Sequence, residues 1–308
     1  MFDEIFPLIL FTCVIIILLI LDLVVFHKKN TIVSLKEASI LSIFWISLAF
    51  LFNLYIYYSH GGEAAIDFLT AYLIEKSLSV DNLFVFMLIF KYFHTPQTVM
   101  HKVLFYGILG AIVMRAIFIF FGIALISNFH WMIYVFGAIL CITGVKLAFE
   151  KDKKIHPEKN PVLRLFRYFF RVSKDYSGDS FFILEKGVYY ATPLFIVLLS
   201  LETTDVIFAI DSVPAVLAVT TNLYIVYTSN IFAILGLRSL FFLLSRMMSL
   251  FHYLHYGISF ILVFVGLKML ISNYVKFGNI ISLGVVFLSL VISIAASISY
   301  PEKEQNSK

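Results

Sequence analysis

The sequence is poor in charge. Only 14% of its 308 residues are Asp, Glu, Lys or Arg, against roughly 25% in soluble domains, whereas 61% are apolar. A water-soluble fold cannot bury that much apolar surface and still cover itself with polar groups. The shortage of charge therefore excludes a disordered chain, a coiled coil and a soluble enzyme. It predicts a protein whose solvent is the lipid bilayer.

Cysteine is also scarce. The two thiols, Cys13 and Cys141, both lie inside apolar runs, which argues against a disulfide framework and against a thiolate metal site. The sequence contains no Walker A motif and no Ser–His or Cys–His arrangement in a soluble catalytic domain. We therefore predict that the protein is not an enzyme, needs no resident cofactor and binds no nucleic acid.

What the chain does contain is a series of apolar runs, each near the ~20 residues that a helix needs to cross a bilayer. These runs predict an all-α, polytopic membrane protein with about nine transmembrane helices. The predicted spans are 6–26, 38–58, 66–91, 102–126, 131–149, 187–219, 224–246, 254–272 and 278–299.

The basic residues alternate between the loops. Loops one, three, five and seven contain Lys or Arg, whereas loops 59–65, 127–130 and 220–222 contain none, and Lys276 in the eighth loop is a mild exception. Cytoplasmic loops carry the excess of basic residues. We therefore predict a plasma-membrane protein with its N-terminus outside and its polar tail, 301–308, in the cytoplasm.

The fifth loop, residues 150–186, is the longest and the most basic. Within 163–174, Arg164, Arg167 and Arg171 share one helical face, as in a helix that lies on the anionic inner leaflet. The alternative is a solvated linker whose charges only set the topology. Both interpretations stay open at this point.

Short motifs with polar residues recur in the same order along the chain, at offsets of 122 to 130 residues. Each copy would hold three spans, so the second copy enters the membrane from the opposite side, as in the inverted repeats of transporters. The paired motifs are Glu75-x5-Asp81-Asn82 with Asp205-x5-Asp211-Ser212, Arg115 with Arg238, and Gly144-Val-Lys146 with Gly266-Leu-Lys268.

This 3+3 inverted repeat divides the chain into five parts. They are two N-terminal spans (1–58), a first repeat (66–149), the basic cytoplasmic loop (150–186), a second repeat (187–272), and the last span with the tail (278–308).

A few ionisable residues fall inside the predicted spans. The acids are Glu75, Asp81, Glu202, Asp205 and Asp211, and the bases are Lys76, Arg115 and Arg238. Each acid at the bilayer centre costs about 2.5–3.5 kcal/mol, so the group needs ion pairs or a bound ion. Five negative charges against three positive ones leave an excess that a divalent cation would neutralise.

The donor atoms narrow the choice of cation. Carboxylates with Asn82 and Ser212 form a set of hard oxygen ligands, which suits Mg²⁺, Ca²⁺ or Mn²⁺. Asp211 is six residues beyond Asp205, about 240° around an ideal helix. We therefore expect Pro214 to unwind the helix near 209–213 and to redirect Asp211.

At these residues the sequence resembles the TerC family of integral membrane proteins, in particular its Alx branch. The resemblance covers nearly the whole chain and implies a nine-span protein of the wider LysE-like transporter group. It implies manganese efflux for the Alx branch, and it implies metal-binding roles for the five acids named above. The motifs are Glu75-Lys-Ser-Leu-Ser-Val-Asp-Asn82, Glu202-Thr-Thr-Asp-Val-Ile-Phe-Ala-Ile-Asp-Ser-Val-Pro-Ala215, Thr228-Ser-Asn-Ile-Phe-Ala-Ile-Leu-Gly-Leu-Arg238 and Gly266-Leu-Lys-Met269.

The leading hypothesis is that the protein exports a divalent cation, with Mn²⁺ as the first candidate. Arg115 and Arg238 would balance the charge of the acids and occupy the site when no metal is bound. The partners would then be the metal ion and the bilayer, with anionic lipids near 163–174. The alternative is a membrane partner protein that stabilises or metalates other proteins in metal stress or tellurite response and transports nothing.

Overall fold

A computed structural model describes residues 2–26, 34–149, 160–185, 187–247, 253–274 and 278–299. Within these ranges the chain forms helices, with one short hairpin of strands. The elements are α1 (Phe2–Phe26), α2 (Leu35–His60), α3 (Gly62–Tyr92), α4 (Gln97–Asn128), α5 (Met132–Phe149), α6 (Pro161–Phe169), β1 (Phe182–Glu185), β2 (Val188–Ala191), α7 (Pro193–Leu217), α8 (Leu223–Ile234), α9 (Leu237–Met247), α10 (Leu254–Leu270) and α11 (Asn279–Ser299).

Every predicted apolar run contains a helix. Five helices, α2, α4, α5, α7 and α11, are long and apolar enough to cross a membrane, and the bent pair α8–α9 makes a sixth. Helix α3 is 31 residues long, but several ionisable residues interrupt its apolar sequence. The structure confirms a polytopic helical membrane protein with five or six candidate spans by length and composition.

Large apolar side chains cover the outer faces of these helices. A water-soluble monomer rarely exposes a continuous apolar surface of this extent. In a bilayer such a surface contacts lipid tails and its exposure costs no free energy. Exposed examples are Ile43 and Leu51 on α2, Val113 and Phe121 on α4, Ile142 on α5, and Ile292 and Ile298 on α11.

The interior is built around α8. Every residue of α8 from Ile225 to Ile234 is buried, because α1, α2, α3 and α4 all pack against it. Helices α3 and α7, which carry the two acidic motifs, are also in contact, as are α5 and α10. Glu75 and Asp205, the first acid of each motif, are buried inside the helical bundle.

Helix α7 corrects one expectation from the sequence. It runs without interruption from Pro193 to Leu217, with Pro214 inside it, so the predicted unwinding at 209–213 does not occur. Pro214 lies in the last turn, where a missing N–H removes only the bond to the Ile210 carbonyl. Helix α3 is likewise continuous through Glu75 and Asp81.

The break that the structure does contain lies in the seventh predicted span. Helix α8 ends at Ile234, α9 begins at Leu237, and the two helices meet at an angle of 40°. Gly236 has φ = +76°, a conformation that only glycine adopts at little cost. A Cβ on Gly236 would lie 2.8 Å from the Cβ of Trp45, so glycine is needed here for space as well.

The fifth loop contains two short β-strands, which an all-α fold does not predict. Strands β1 and β2 pair antiparallel, with Phe182 opposite Ala191, so α7 begins at Pro193 and not at the predicted residue 187. Helix α6 ends at Phe169 and covers only the first part of 163–174. Its Asn160 cap accepts hydrogen bonds from the backbone N–H groups of Val162 and Leu163.

The segment between α6 and β1 is attached to the ends of α3 and α4. The Tyr176 hydroxyl donates to the Phe93 carbonyl at 2.9 Å, and Lys102 Nζ donates to Asp179 Oδ2 at 3.0 Å. The hydrogen bond from Lys102 lowers the pKa of the Asp179 carboxyl below its ordinary value. These contacts place the hairpin over the same end of the bundle as the starts of α4 and α7.

Several residues used in the topology argument lie outside the described ranges. They are Lys28, Lys29, Lys151, Lys153, Lys154, Lys159, Lys186, Lys276 and the tail 301–308.

Close packing of α5 against α10 generates a first prediction. A Cβ on Gly266 would lie 2.7 Å from the Gly137 carbonyl oxygen, which is backbone and cannot move aside. We expect Gly266→Ala to lower the free energy of unfolding by about 1–3 kcal/mol through overpacking, measured by thermal unfolding of the purified protein in detergent.

Gly284→Ala is the matched control, because nothing lies within 4 Å of a Cβ at that helical position. It should unfold at or slightly above the parent's temperature, since alanine favours helix. Equal unfolding temperatures for the two variants would show that this helix contact is not tight.

Candidate functional site

The centre of the site is a buried ion pair between α3 and α4. Glu75 is 0% exposed and Arg115 is 1% exposed, and Arg115 Nη1 donates to Glu75 Oε1. Removing either partner from such a pair would leave an uncompensated charge in a medium of low dielectric constant. The pair therefore fixes the relative positions of α3 and α4 in the middle of the bundle.

Two further side chains complete the surroundings of Arg115. Asp205 of α7 places Oδ1 3.9 Å from Arg115 Nη2, a charge contact longer than a hydrogen bond. Asn230 of α8 accepts from Arg115 Nη1 at 3.1 Å through its Oδ1, while its own Nδ2 donates to the Val226 carbonyl. One guanidinium thus joins four helices.

The role of Asn230 is not among the predictions made from the sequence. The available signal was an amide side chain inside an apolar run, which needs a partner when it is buried. The hydrogen bond from the Asn230 amide to Val226 one turn back also determines which way its Oδ1 points.

Several oxygens of this cluster are left without hydrogen bonds. Glu75 Oε2, Asp205 Oδ2 and Ser212 Oγ are buried and make none, and the Ser212 hydroxyl is a near neighbour of Glu75. Ser79 Oγ, one turn beyond Glu75 on α3, is also buried without a hydrogen bond. Unpaired buried polar atoms are rare and costly in folded proteins. Two carboxylate oxygens and the Ser212 hydroxyl oxygen are thus available to a ligand.

Glu202 extends the site toward one end of the bundle. It lies one turn before Asp205 on α7, and the two residues share a small cavity of about 20 Å³, the size of about one water. A Cβ on Gly110 of α4 would overlap the Glu202 carboxylate, so the missing side chain makes room for it. Arg238 of α9 also lines this Glu202 cavity.

The remaining predicted acids point elsewhere. Asp211 accepts a hydrogen bond from Thr143 of α5 at 2.9 Å, away from Arg115, because α7 is continuous and Asp211 lies about 240° around it from Asp205. Asp81 likewise lies six residues beyond Glu75 on the continuous helix α3, about 240° around it. It is half-buried, and Asn82 beside it is buried.

Lys76 does not join the acids. Its Nζ donates to the backbone carbonyls of Ala233 and Leu235, both at 3.1 Å, at the break between α8 and α9. The charge balance predicted from the sequence includes Lys76 among the bases that offset the five acids, but its hydrogen bonds are to neutral backbone groups.

A second cavity lies at the C-terminal end of α7. It measures about 110 Å³, which is room for several waters. Its lining combines apolar groups with the polar side chains of Thr221, Lys268 and Ser272. Lys268 Nζ also donates to Ser282 Oγ at 3.0 Å and to Asn279 Oδ1 at 3.2 Å. We call it the Lys268 cavity.

The donor set of the central site is made of oxygen. Within the described ranges, no three His, Cys, Asp or Glu side chains converge as a preformed metal site. Glu75 and Asp205 converge on the Arg115 guanidinium instead, which holds the position between them. Two helices, an arginine and unpaired hard oxygens thus meet at one buried point between two cavities.

A polytopic helical bundle with paired acids and an arginine in its interior defines the chain as an integral membrane protein with a buried polar site. It belongs to the family described as "Integral membrane protein TerC family", whose model matches residues 60–305.

The relatives are similar along nearly their whole lengths. The chain is 49% identical over 288 residues to "Uncharacterized membrane protein STKORF319" of Myxococcus xanthus, covering 94% of this chain and 90% of that protein. It is 44% identical over 306 residues to "Putative membrane-bound redox modulator Alx" of Escherichia coli K12, covering 96% of this chain and 95% of that protein. No solved structure matches the chain.

The central ion pair generates a second prediction. Arg115→Gln removes the only cation that contacts both Glu75 and Asp205 in the described structure, so it should destabilise the protein by about 3–5 kcal/mol. Thermal unfolding in detergent measures the loss. The double variant Glu75→Gln/Arg115→Gln should regain part of it, because one buried charge is then also removed.

Arg164→Gln provides the control, since Arg164 is exposed on α6 and its replacement should leave the unfolding temperature unchanged. A double variant less stable than Arg115→Gln alone would contradict a direct coupling between the two side chains.

Proposed function

We propose that this protein exports a hard divalent cation, with Mn²⁺ as the first candidate, through the buried site between α3 and α7. One observation carries the proposal. Glu75 and Asp205 each keep a buried carboxylate oxygen without a hydrogen bond, with Glu202 one turn away beside a cavity. Carboxylate oxygens are the ligands that Mg²⁺ and Mn²⁺ prefer.

The distribution of polar groups along α7 supports a route for the ion. Glu202 lines the cavity in one half of the bundle, Asp205 and Asp211 follow at the next positions, and Leu217 lines the Lys268 cavity in the other half. The helix rise spaces these residues over about 20–25 Å. Acids thus occur along α7 between a cavity near the middle of this helix and a cavity at its C-terminal end.

Movement of the Arg115 side chain would allow the site to bind and release the cation. Its guanidinium neutralises Glu75 and lies near Asp205. A divalent cation would take its place among the same oxygens, with Asn230 and Ser212 as neutral donors. Arg115 would return as the ion leaves, so the acids never face each other uncompensated. Arg238 beside Glu202 would do the same at the cavity.

The architecture we propose for this cycle has nine spans, with the second three-span repeat inverted relative to the first. The contacts of α3 with α7, α4 with α8 and α5 with α10 are those expected between corresponding helices of such a pair. We place the protein in the plasma membrane with its N-terminus outside. The end of the bundle that carries the hairpin would then face the cytoplasm.

Export needs energy. Moving a divalent cation out against an inside-negative potential costs about 4.6 kcal/mol per 100 mV, twice the value for one charge. We propose exchange against protons, because carboxylates bind a proton as the metal leaves. Metal binding to the purified protein should accordingly weaken as the medium is acidified.

Glu202→Gln gives the third prediction. It removes one ligand charge next to the cavity without breaking the Arg115 ion pair, so export should fall on the order of tenfold or more, the equivalent of about 1.4 kcal/mol. Manganese content of stressed cells, and Mn²⁺ flux from liposomes that contain the purified protein, measure the effect.

Glu185→Gln is the matched control, because Glu185 is exposed at the end of β1 and its loss should not change flux. Asp205→Asn, Asp81→Asn and Asp211→Asn complete the series. If all four site variants transport Mn²⁺ like the parent, the acids do not form the route.

The second candidate is a membrane partner protein that stabilises or metalates other proteins. One observation favours it: Tyr168, Phe169, Leu184 and Tyr189, on α6 and the hairpin, are strongly exposed. Absence of Mn²⁺ flux from liposomes, with partner capture that is lost when these residues are replaced by Ser, would favour this candidate over export.

Several relatives carry the name "Putative membrane-bound redox modulator Alx", and the two thiols allow a redox activity to be tested. Cys13 lies exposed on α1, and Cys141 is half-buried on α5. Cys13→Ser/Cys141→Ser should export Mn²⁺ like the parent. Loss of export in this variant, with the protein still folded, would instead favour thiol chemistry.

A further inference from the structure

Lys76 is a charged residue that the proposed transport does not use. It follows Glu75 directly on α3, but successive side chains point about 100° apart around a helix. Its ammonium therefore reaches α8 and not the acids. It donates to the carbonyl oxygens of Ala233 and Leu235 at 3.1 Å each.

Both carbonyls belong to the broken helix. The last carbonyl groups of a helix have no partner within it, and a bilayer interior offers no water to replace one. Ala233 and Leu235 are each 0% exposed. Lys76 thus satisfies two such groups and places a positive charge at the negative end of α8.

The break does not depend on Lys76 for its existence. Gly236 takes a positive φ, and its α-carbon packs directly under Trp45 of α2. The chain must therefore leave the helix at this point. If the Lys76 side chain were shortened, the two carbonyls would still face the vacated space.

We infer that the Ala233 and Leu235 carbonyls form a monovalent-cation site that this protein fills with its own Lys76 ammonium. Unwound carbonyls at helix breaks in membranes bind alkali cations, and an ammonium is a compact single charge that donates only. Na⁺ or K⁺ is the class of ligand that the same two oxygens would take, with water in the remaining space.

The tethered cation also orders the central site. Asn230 lies one turn before Ala233 on α8 and accepts from Arg115 at 3.1 Å. By holding the end of α8, Lys76 fixes the height of Asn230 relative to α3. Lys76 is accordingly a positioning residue, and this role stands whether or not the protein exports Mn²⁺.

The test compares thermal unfolding of full-length Lys76→Ala and the parent in detergent, in NaCl, KCl or choline chloride at equal concentration. In choline, Lys76→Ala should unfold below the parent. Na⁺ or K⁺ should raise its unfolding temperature by roughly 2–4 °C in a saturable way. The unfolding temperature of the parent should be the same in all three salts, and so should that of Lys76→Arg.

Lys76→Met is the control, because its apolar side chain fills the space without a charge, so it should stay destabilised in every salt. The inference is overturned if Lys76→Ala matches the parent in choline, or if it is destabilised equally in all three salts. Should Lys76→Ala not accumulate as folded protein, Lys76→Met as stable as Lys76→Arg would overturn it equally.

Discussion

The rest of the structure depends on one guanidinium held in the interior of a bilayer protein. Arg115 is surrounded by Glu75, Asp205 and Asn230, which come from three other helices. A charge at that depth is tolerated only with partners, because neither lipid nor apolar side chains solvate it. The need to solvate Arg115 therefore draws side chains of α3, α4, α7 and α8 together. Packing of α1 and α2 on α8, beside α3 and α4, completes the burial of α8 from Ile225 to Ile234.

The same physics accounts for the broken helix. Inside a membrane, backbone carbonyls released from a helix must find a donor within the protein. Gly236 supplies the backbone conformation and the space beneath Trp45, and Lys76 supplies the donor. The break and the ion pair share α8, so Asn230 connects them. The break between α8 and α9 lies beside buried charges, where such backbone is tolerated in membrane proteins.

Much of the helix order and of the site could be predicted from the sequence. Each apolar run contains a helix. Glu75 and Asp205 are buried beside Arg115, as expected because a buried acid needs a partner of opposite charge, and Glu202 lines the neighbouring cavity. The prediction of unwinding at Pro214 was wrong, since a proline in a last turn removes only one hydrogen bond. The hairpin at 182–191 was also missed. Its strands are only four residues long, too short for a periodic signal.

The sequence by itself determined that the solvent is lipid, where the apolar helices lie, and that a few charges are buried among them. These properties follow from the free energy of transferring side chains and backbone into hydrocarbon, which each segment meets on its own. Only the tertiary structure decided which charges meet. Adjacent Glu75 and Lys76 separate to different partners, and Asp205 and Asp211 face different helices. Which side chains meet depends on the rotation of each helix about its axis and on its height in the bundle. Close packing at the glycines and the contacts of Arg115 determine both.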